Sequence, residues 1–365
     1  MNPYVAVALR RLAPIVLALV LFAVLLQLIG YQGIEVLQDI FKGSVGTPNA
    51  LVQTLRWTIP LVIIGLGAVV SFRSGFFNVG GLGQFYLGAI GATSVATAMP
   101  DGPPAVVVTL AVLAGIALGA VWSIVPGILR IVFGADEVIT TIMANFVAQY
   151  LLLYLLAGPM MDRSSDTAQG AASAPIADDL RISTSNGLSP VTLGVTVAVI
   201  VIIWLLLART SFGVLSGIAG RNGVMLRWQG VKVGRIGLVA FGLSGGLAGL
   251  AGALEIMGPS GKLVTGLSPQ VGNNAMLVAL VAGLAVFGSV AAALFFGALT
   301  AASLFLPVAA QLPASAIVVL NGFIAMLVTA QLRLPHWATR RRRPTPGAAE
   351  PDPVEQVPLE PKVLS

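Results

Sequence analysis

The chain is 365 residues long, 57% hydrophobic and only 9% charged, with a formal net charge of +6 and no cysteine. A soluble fold of this size needs more charge to cover its surface, whereas lipid solvates apolar side chains directly, so composition places the chain among integral membrane proteins. The lack of cysteine excludes disulfides and thiolate metal sites, and the positive charge lies in short loops and at span ends, which points to orientation in a membrane and away from nucleic acid.

The first apolar run, residues 12–30, follows Arg10 and Arg11. At about 1.5 Å per residue it matches the roughly 30 Å hydrocarbon core, and no Ala-x-Ala-like site follows it, so it reads as a retained first span with the N-terminus inside and not as a signal peptide. Further spans are predicted at 54–71, 81–99, 105–129, 137–157, 190–208, 236–257, 273–287, 289–306 and 314–332, which makes ten. The expected fold is an all-α polytopic bundle over residues 1–335 with both termini cytoplasmic, followed by a tail over 336–365. With the loops assigned alternately, fifteen of the twenty Lys and Arg fall on the cytoplasmic side. Four (Lys42, Arg163, Arg181 and Lys262) fall outside, and Arg56, near the outer end of the second span, snorkels to the interface.

Polar groups inside apolar spans are costly, so they are the candidates for function. The segment FRSGFFNVGGLGQ (72–84) places four glycines, Asn78 and Gln84 between two apolar runs, and reads either as a tight turn or as a broken helix whose backbone faces a cavity. In the fifth span Thr141, Asn145 and Gln149 recur every four residues and form one stripe, with Asn145 about 12 Å in from Glu137. That stripe either lines a path for polar solutes or ties helices together. The loop 158–189, rich in Asp, Ser, Ala and Pro, is the longest connection and reads as a lid, a partner contact or a flexible spacer.

The stretch 209–235 holds Arg209, Arg221, Arg227, Lys232 and Arg235 without an acid, so the positive-inside rule keeps it cytoplasmic. Beyond it, FGLSGGLAGLAGAL (241–254) carries the small-xxx-small pairs Gly242 with Gly246 and Gly245 with Gly249, a packing signal. Glu255 follows about 28 Å along the same helix, which sets it at the outer interface with no need to be buried, or else makes it a further candidate for the substrate pathway. GPSGKL (258–263) superficially resembles a phosphate-binding loop, yet Ile256 stands where a glycine is required and no Ser or Thr follows Lys262. The lone histidine, His336, reads as an interfacial residue, and neither a catalytic triad nor a metal or cofactor site can be assembled. The tail combines RRRR with repeated prolines and is expected to be disordered, its arginines facing anionic lipid headgroups.

FRSGFFNVGGLGQFYLGA (72–89), GADEVITTIMANF (134–146), RTSFG (209–213) and LSGGLAGLAGALEIMG (243–258), in this order, resemble the permease subunits of bacterial ABC importers of the simple-sugar and nucleoside class. The likeness runs from about 54 to 332 and is most similar to nucleoside importers served by a basic-membrane-protein-type lipoprotein. It implies a non-enzymatic, ten-span permease paired with a second homologous permease or with itself, and an ATPase on a separate chain. It also implies that the cytoplasmic loop carries a short helix that docks in the ATPase, mapping to 213–231 and to Gly213, Arg221, Asn222, Val224, Met225, Arg227 and Trp228. Three departures stand out: Leu82 replaces a usual acid, Leu215-Ser216-Gly217 replaces Leu-Arg-Ala, and 272–288 lacks the usual acidic and Arg/Asn-Pro character. The rival reading is a secondary transporter or channel that works without an ATPase. Hydroxyl-rich sugars and nucleosides need similar side chains, so the solute stays open between them.

Overall fold

A computed structural model describes residues 3–162, 171–182, 187–268, 270–313 and 315–331. Arg163, His336 and the tail from 336 on lie outside the described residues. The helices, in chain order, are α1 (Pro3–Ile29), α2 (Gly33–Val45), α3 (Pro48–Arg73), α4 (Gly81–Ala98), α5 (Pro104–Phe133) and α6 (Glu137–Ala157). They continue with α7 (Pro190–Arg209), α8 (Ser211–Trp228), α9 (Val233–Glu255), α10 (Val271–Val281), α11 (Val286–Ala309) and α12 (Ala316–Gln331). Among the described residues six segments are long and apolar enough to cross a membrane: α3, α5, α6, α7, α11, and α9 together with the turn that continues it to Ser260. Shorter apolar helices run over Pro14–Ile29, Val271–Val281 and Ala316–Leu327.

Helices α3, α4 and α9 form the centre, and α5 closes against α4 and α9. The α4–α5–α9 contact is a meeting of backbones. A Cβ on Gly88 would strike the Gly249 carbonyl oxygen, and one on Gly249 would strike that of Gly115. The pair Gly245 and Gly249 faces the α5 backbone at close range, while Gly242 and Gly246 meet α5 only at ordinary distances. In lipid, where apolar surface has no water to escape, such close approach is a main source of helix association.

Two elements differ from the sequence expectation. The connection at 33–45 is an amphipathic helix, α2, which buries Val36, Ile40, Gly43 and Ser44 on one face and exposes Ile34 and Phe41. Thr54 Oγ1 donates to the Ser44 carbonyl at 2.6 Å and fixes α2 across the Pro48 end of α3. Its charged residues Glu35, Asp39 and Lys42 hide the helical period from a hydropathy reading. The predicted span 273–287 is replaced by α10, whose 11 residues rise only about 16 Å. It ends in a turn with Gly283 and Leu284 at φ 62° and 61°, left-handed values that stop a helix, so α11 begins at Val286 and not at 289. The start of α10 lies beside the first turn of α4, where a Cβ on Gly272 would come within 2.6 Å of the Leu82 amide nitrogen.

Candidate functional site

At the Arg73 end of α3 the chain does not simply turn. Gly75 at φ 81° reverses it, and residues 76–80 fold back into the bundle before α4 starts. Phe76 stands edge-on to Phe241 at 6.3 Å, and the Ser71 hydroxyl donates to the Phe76 carbonyl while accepting from the Asn78 amide nitrogen at 3.2 Å. Asn78, 4% exposed, and Gln84, 1% exposed, exchange amide hydrogen bonds of 3.1 and 2.9 Å. Asn78 also donates to the Ser244 hydroxyl of α9 at 3.0 Å and accepts from the Gly80 amide at 2.9 Å. One side chain thus joins the re-entrant turn, α4 and α9.

Helix α6 starts at Asp136, whose carboxylate accepts from the amides of Val138 and Ile139, an N-cap. The helical repeat then points Thr141 and Asn145 at the re-entrant turn. Thr141 Oγ1 accepts from the Val79 amide at 3.3 Å and donates to the Glu137 carbonyl at 2.6 Å. Asn145 accepts from the Gly83 amide at 2.8 Å and donates to the Val79 carbonyl at 3.1 Å. The first turn of a helix leaves amides without intrahelical partners, and here the Asn145 side chain takes up one of those of α4. The third member of the stripe, Gln149, is exposed on α6.

Glu255 is not at an open interface, as its helical distance suggested. It is 6% exposed, its carboxylate lies 3.0 Å from Arg56 of α3, and it accepts from the Ser260 hydroxyl at 2.9 Å. Arg56 is engaged likewise: rather than snorkelling free, it holds this pair and sits 4.5 Å over the Trp57 ring. The reason is a π-helical turn over Ile256–Ser260, containing Pro259, which swings Ser260 back to the carboxylate. A cover built from part of the long loop closes over it. Within residues 171–182, the amides of Ser173, Ile176 and Ile182 donate to the carbonyls of Leu263, Gly261 and Met257 at 2.7–2.9 Å, and Arg181 donates to the Gly258 carbonyl at 3.1 Å. This part of 158–189 is therefore docked on the end of α9 and is not a free spacer.

The basic stretch forms α8, packed across the Arg73 end with Gly75 against Gly220. Thr210 caps it by accepting from the Gly213 amide, and Gly213 itself is buried beneath the Leu206 and Leu207 carbonyls of α7. At Asn222 the backbone leaves the helix (φ −151°, ψ 75°), and the Asn222 side-chain Oδ1 accepts from the Met225 amide, so this residue caps the second half. Arg221, Asn222 and Arg227 are exposed, and so are Val224 (53%), Met225 (47%) and Trp228 (87%). Hollows of about 530 and 570 Å³ flank the helix, one lined by Arg73 and Arg221, the other by Arg130, Arg227 and Lys232.

A further polar pair escaped the sequence reading. The Asn321 amide of α12 donates to the Asn274 carbonyl oxygen of α10 at 3.0 Å, with both side chains buried. The sequence signal for it is Asn321 alone in one apolar run and the adjacent pair Asn273 and Asn274 at the head of another. Among the described residues no group of His, Cys, Asp or Glu is placed to hold a metal ion.

Residues 50–329 match the family model described as branched-chain amino acid transport system / permease component. A guanosine ABC transporter permease protein of Bacillus subtilis (strain 168) is 30% identical over 320 residues, 87% of this chain and 91% of that protein. A nucleoside ABC transporter permease protein of Lactococcus lactis subsp. cremoris is 30% identical over 308 residues, covering 82% of this chain and 84% of the relative. A glucose ABC transporter permease protein of Haloferax volcanii is 29% identical over 304 residues, covering 80% and 79%. No solved structure matches.

Proposed function

The chain belongs to the branched-chain amino acid transport system / permease component family of membrane proteins, and on that premise we propose that it forms half of the path by which an ATP-binding cassette importer takes up a nucleoside or simple sugar. The names of its relatives, which specify guanosine, nucleosides and glucose, favour those solutes over an amino acid. In this reading the chain crosses the membrane ten times, the short α10 doing so only together with the non-helical segment before it, with both termini and the Arg73 end cytoplasmic. The docked cover over α9 faces outward, where a solute-binding lipoprotein delivers its ligand. A second permease, homologous or identical, completes the path.

The observation that carries the reading is the apolar face of α8. Val224, Met225 and Trp228 are exposed on a helix that lies outside the apolar bundle, at the end richest in Arg and Lys. No described residue covers that face, and a helix end this rich in Arg and Lys belongs at the aqueous boundary, so a protein partner is the natural occupant, and an ATPase on a separate chain supplies the hydrolysis. Gly213 lies underneath as part of the α7–α8 turn, while Arg221, Asn222 and Arg227 border the contact.

The test is ATP-dependent uptake of inosine and glucose by vesicles holding the complete complex, with and without Trp228→Ala. The substitution is expected to release the ATPase during purification and lower uptake at least about tenfold, while changing the thermal stability of the permease by less than about 0.5 kcal/mol. Flux driven by an ion gradient through this chain alone would replace the importer with a secondary transporter.

A further inference from the structure

A smaller cavity, of about 120 Å³, lies between α3, the start of α10, α11 and α12 and is lined by Trp57, Gln270, Asn274, Thr300, Ser303 and apolar residues such as Leu61. No charged side chain lines it, so it suits neither an anion nor a cation. Its polar groups are arranged for a ligand that both donates and accepts. The hydroxyls of Thr300 and Ser303 donate to the carbonyls of Phe296 (2.8 Å) and Thr300 (2.6 Å) of their own helix, which leaves their oxygens as acceptors. The Asn274 carbonyl oxygen is taken by Asn321, which leaves its NH2 group as a donor. Trp57 adds an aromatic wall held from one side by the Arg56 guanidinium. At the rim, Ser268 is held at φ 44°, a left-handed value costly for a residue with a side chain and of the kind that collects at ligand sites.

Size narrows the class. At about 120 Å³ the cavity is close to the roughly 150 Å³ that accommodates a single benzene ring, so it has room for about one ring and not for a ring joined to a purine. We propose that this cavity is a subsite for a neutral sugar ring, the ribosyl or hexosyl part of the transported solute, with Thr300 and Ser303 accepting from its hydroxyls, Asn274 donating, and the ring's C–H face against Trp57. The proposal rests on the importer reading above and adds where, and by which part, the solute is held.

The chain contains no cysteine, so Ser303→Cys gives each copy of this chain in the complete complex a single thiol, inside the cavity. Its rate of reaction with a small methanethiosulfonate reagent is measured alone and with millimolar inosine, ribose, glucose or hypoxanthine. At least one sugar-bearing probe is expected to slow labelling about tenfold, and hypoxanthine, the base alone, to leave it unchanged. Equal protection by hypoxanthine, protection by none of the sugar-bearing probes, or a thiol that never reacts would each overturn the subsite. Thr300→Val is expected to lower uptake about tenfold and Thr300→Ser to restore it, the change expected from loss of one acceptor. ATP-driven uptake by the unsubstituted complex separates the two levels. Uptake without protection sinks the subsite and spares the importer, whereas no uptake of any of these solutes removes the importer reading and the subsite with it.

Discussion

The re-entrant turn at 74–84 and the cavity beside α10 are both polar regions inside an apolar bundle, yet their hydrogen bonds run in opposite directions. Around Asn78 the polar groups face each other: amide meets amide, Ser244 accepts from Asn78, and Thr141 and Asn145 hold the backbone of 79–83. Beside α10, the side chains are tied back to their own helix or to a neighbour and leave complementary groups over. A polar residue in a membrane span is thus an ambiguous sign, because the same cost of burial is met either by a partner inside the protein or by a passing solute.

Substitutions should separate the two regions by stability. The largest loss is expected for Asn78→Leu, which leaves the Gln84 amide and the Gly80 N–H buried without partners. A cost of about 3 kcal/mol or more follows, read by thermal unfolding of the purified permease. A loss under about 1 kcal/mol would mean that the turn is held by something else. Next comes Glu255→Gln, which leaves Arg56 without its countercharge and is expected to cost about 2 kcal/mol, less than for a fully buried pair because Arg56 keeps 19% exposure. The double change Glu255→Leu with Arg56→Met should recover most of it, and a double variant no better than the single one argues against the pair.

Thr300→Val belongs to the other region and should cost less than about 1 kcal/mol, since the lost hydroxyl bonds only to its own helix. If it destabilises as much as Asn78→Leu, the contrast between the regions fails. Smallest of all, Gln149→Leu should shift stability by less than about 0.5 kcal/mol, because the side chain is exposed and apolar in its new form.

Much of the architecture was legible in the sequence because membrane spans are written in bulk hydropathy: α3, α5, α6, α7 and α11 lie over predicted spans, each within a few residues at most ends but with α3 beginning six residues earlier. What stayed hidden depended on contacts distant in sequence. The burial of Glu255 needs Arg56, 199 residues away, and a cover from residues 171–182. The α2 helix is masked by its charged face, and the shortness of α10 is set by a turn at Gly283 and Leu284 within an unbroken apolar run. The stripe Thr141, Asn145 and Gln149 was visible by period, but only the position of residues 79–83 decides that two of its members face the turn and the third does not. Asn321 is one polar letter in an apolar run and Asn274 stands beside Asn273 at the head of another, and nothing local to either says that Asn274 and Asn321 meet.

The contact of Gly88, Gly115 and Gly249 also bears on how such a chain can drift over generations. Where side chains meet, a larger residue on one helix can be absorbed by a smaller one opposite. At Gly88 and Gly249 backbone touches backbone, so the partner has nothing left to shed and no second change reopens the position, whereas at Gly115 the first atom met is the Ala253 methyl, which a glycine there would remove. The outer surfaces of the bundle can therefore diverge widely around a crossing that hardly changes.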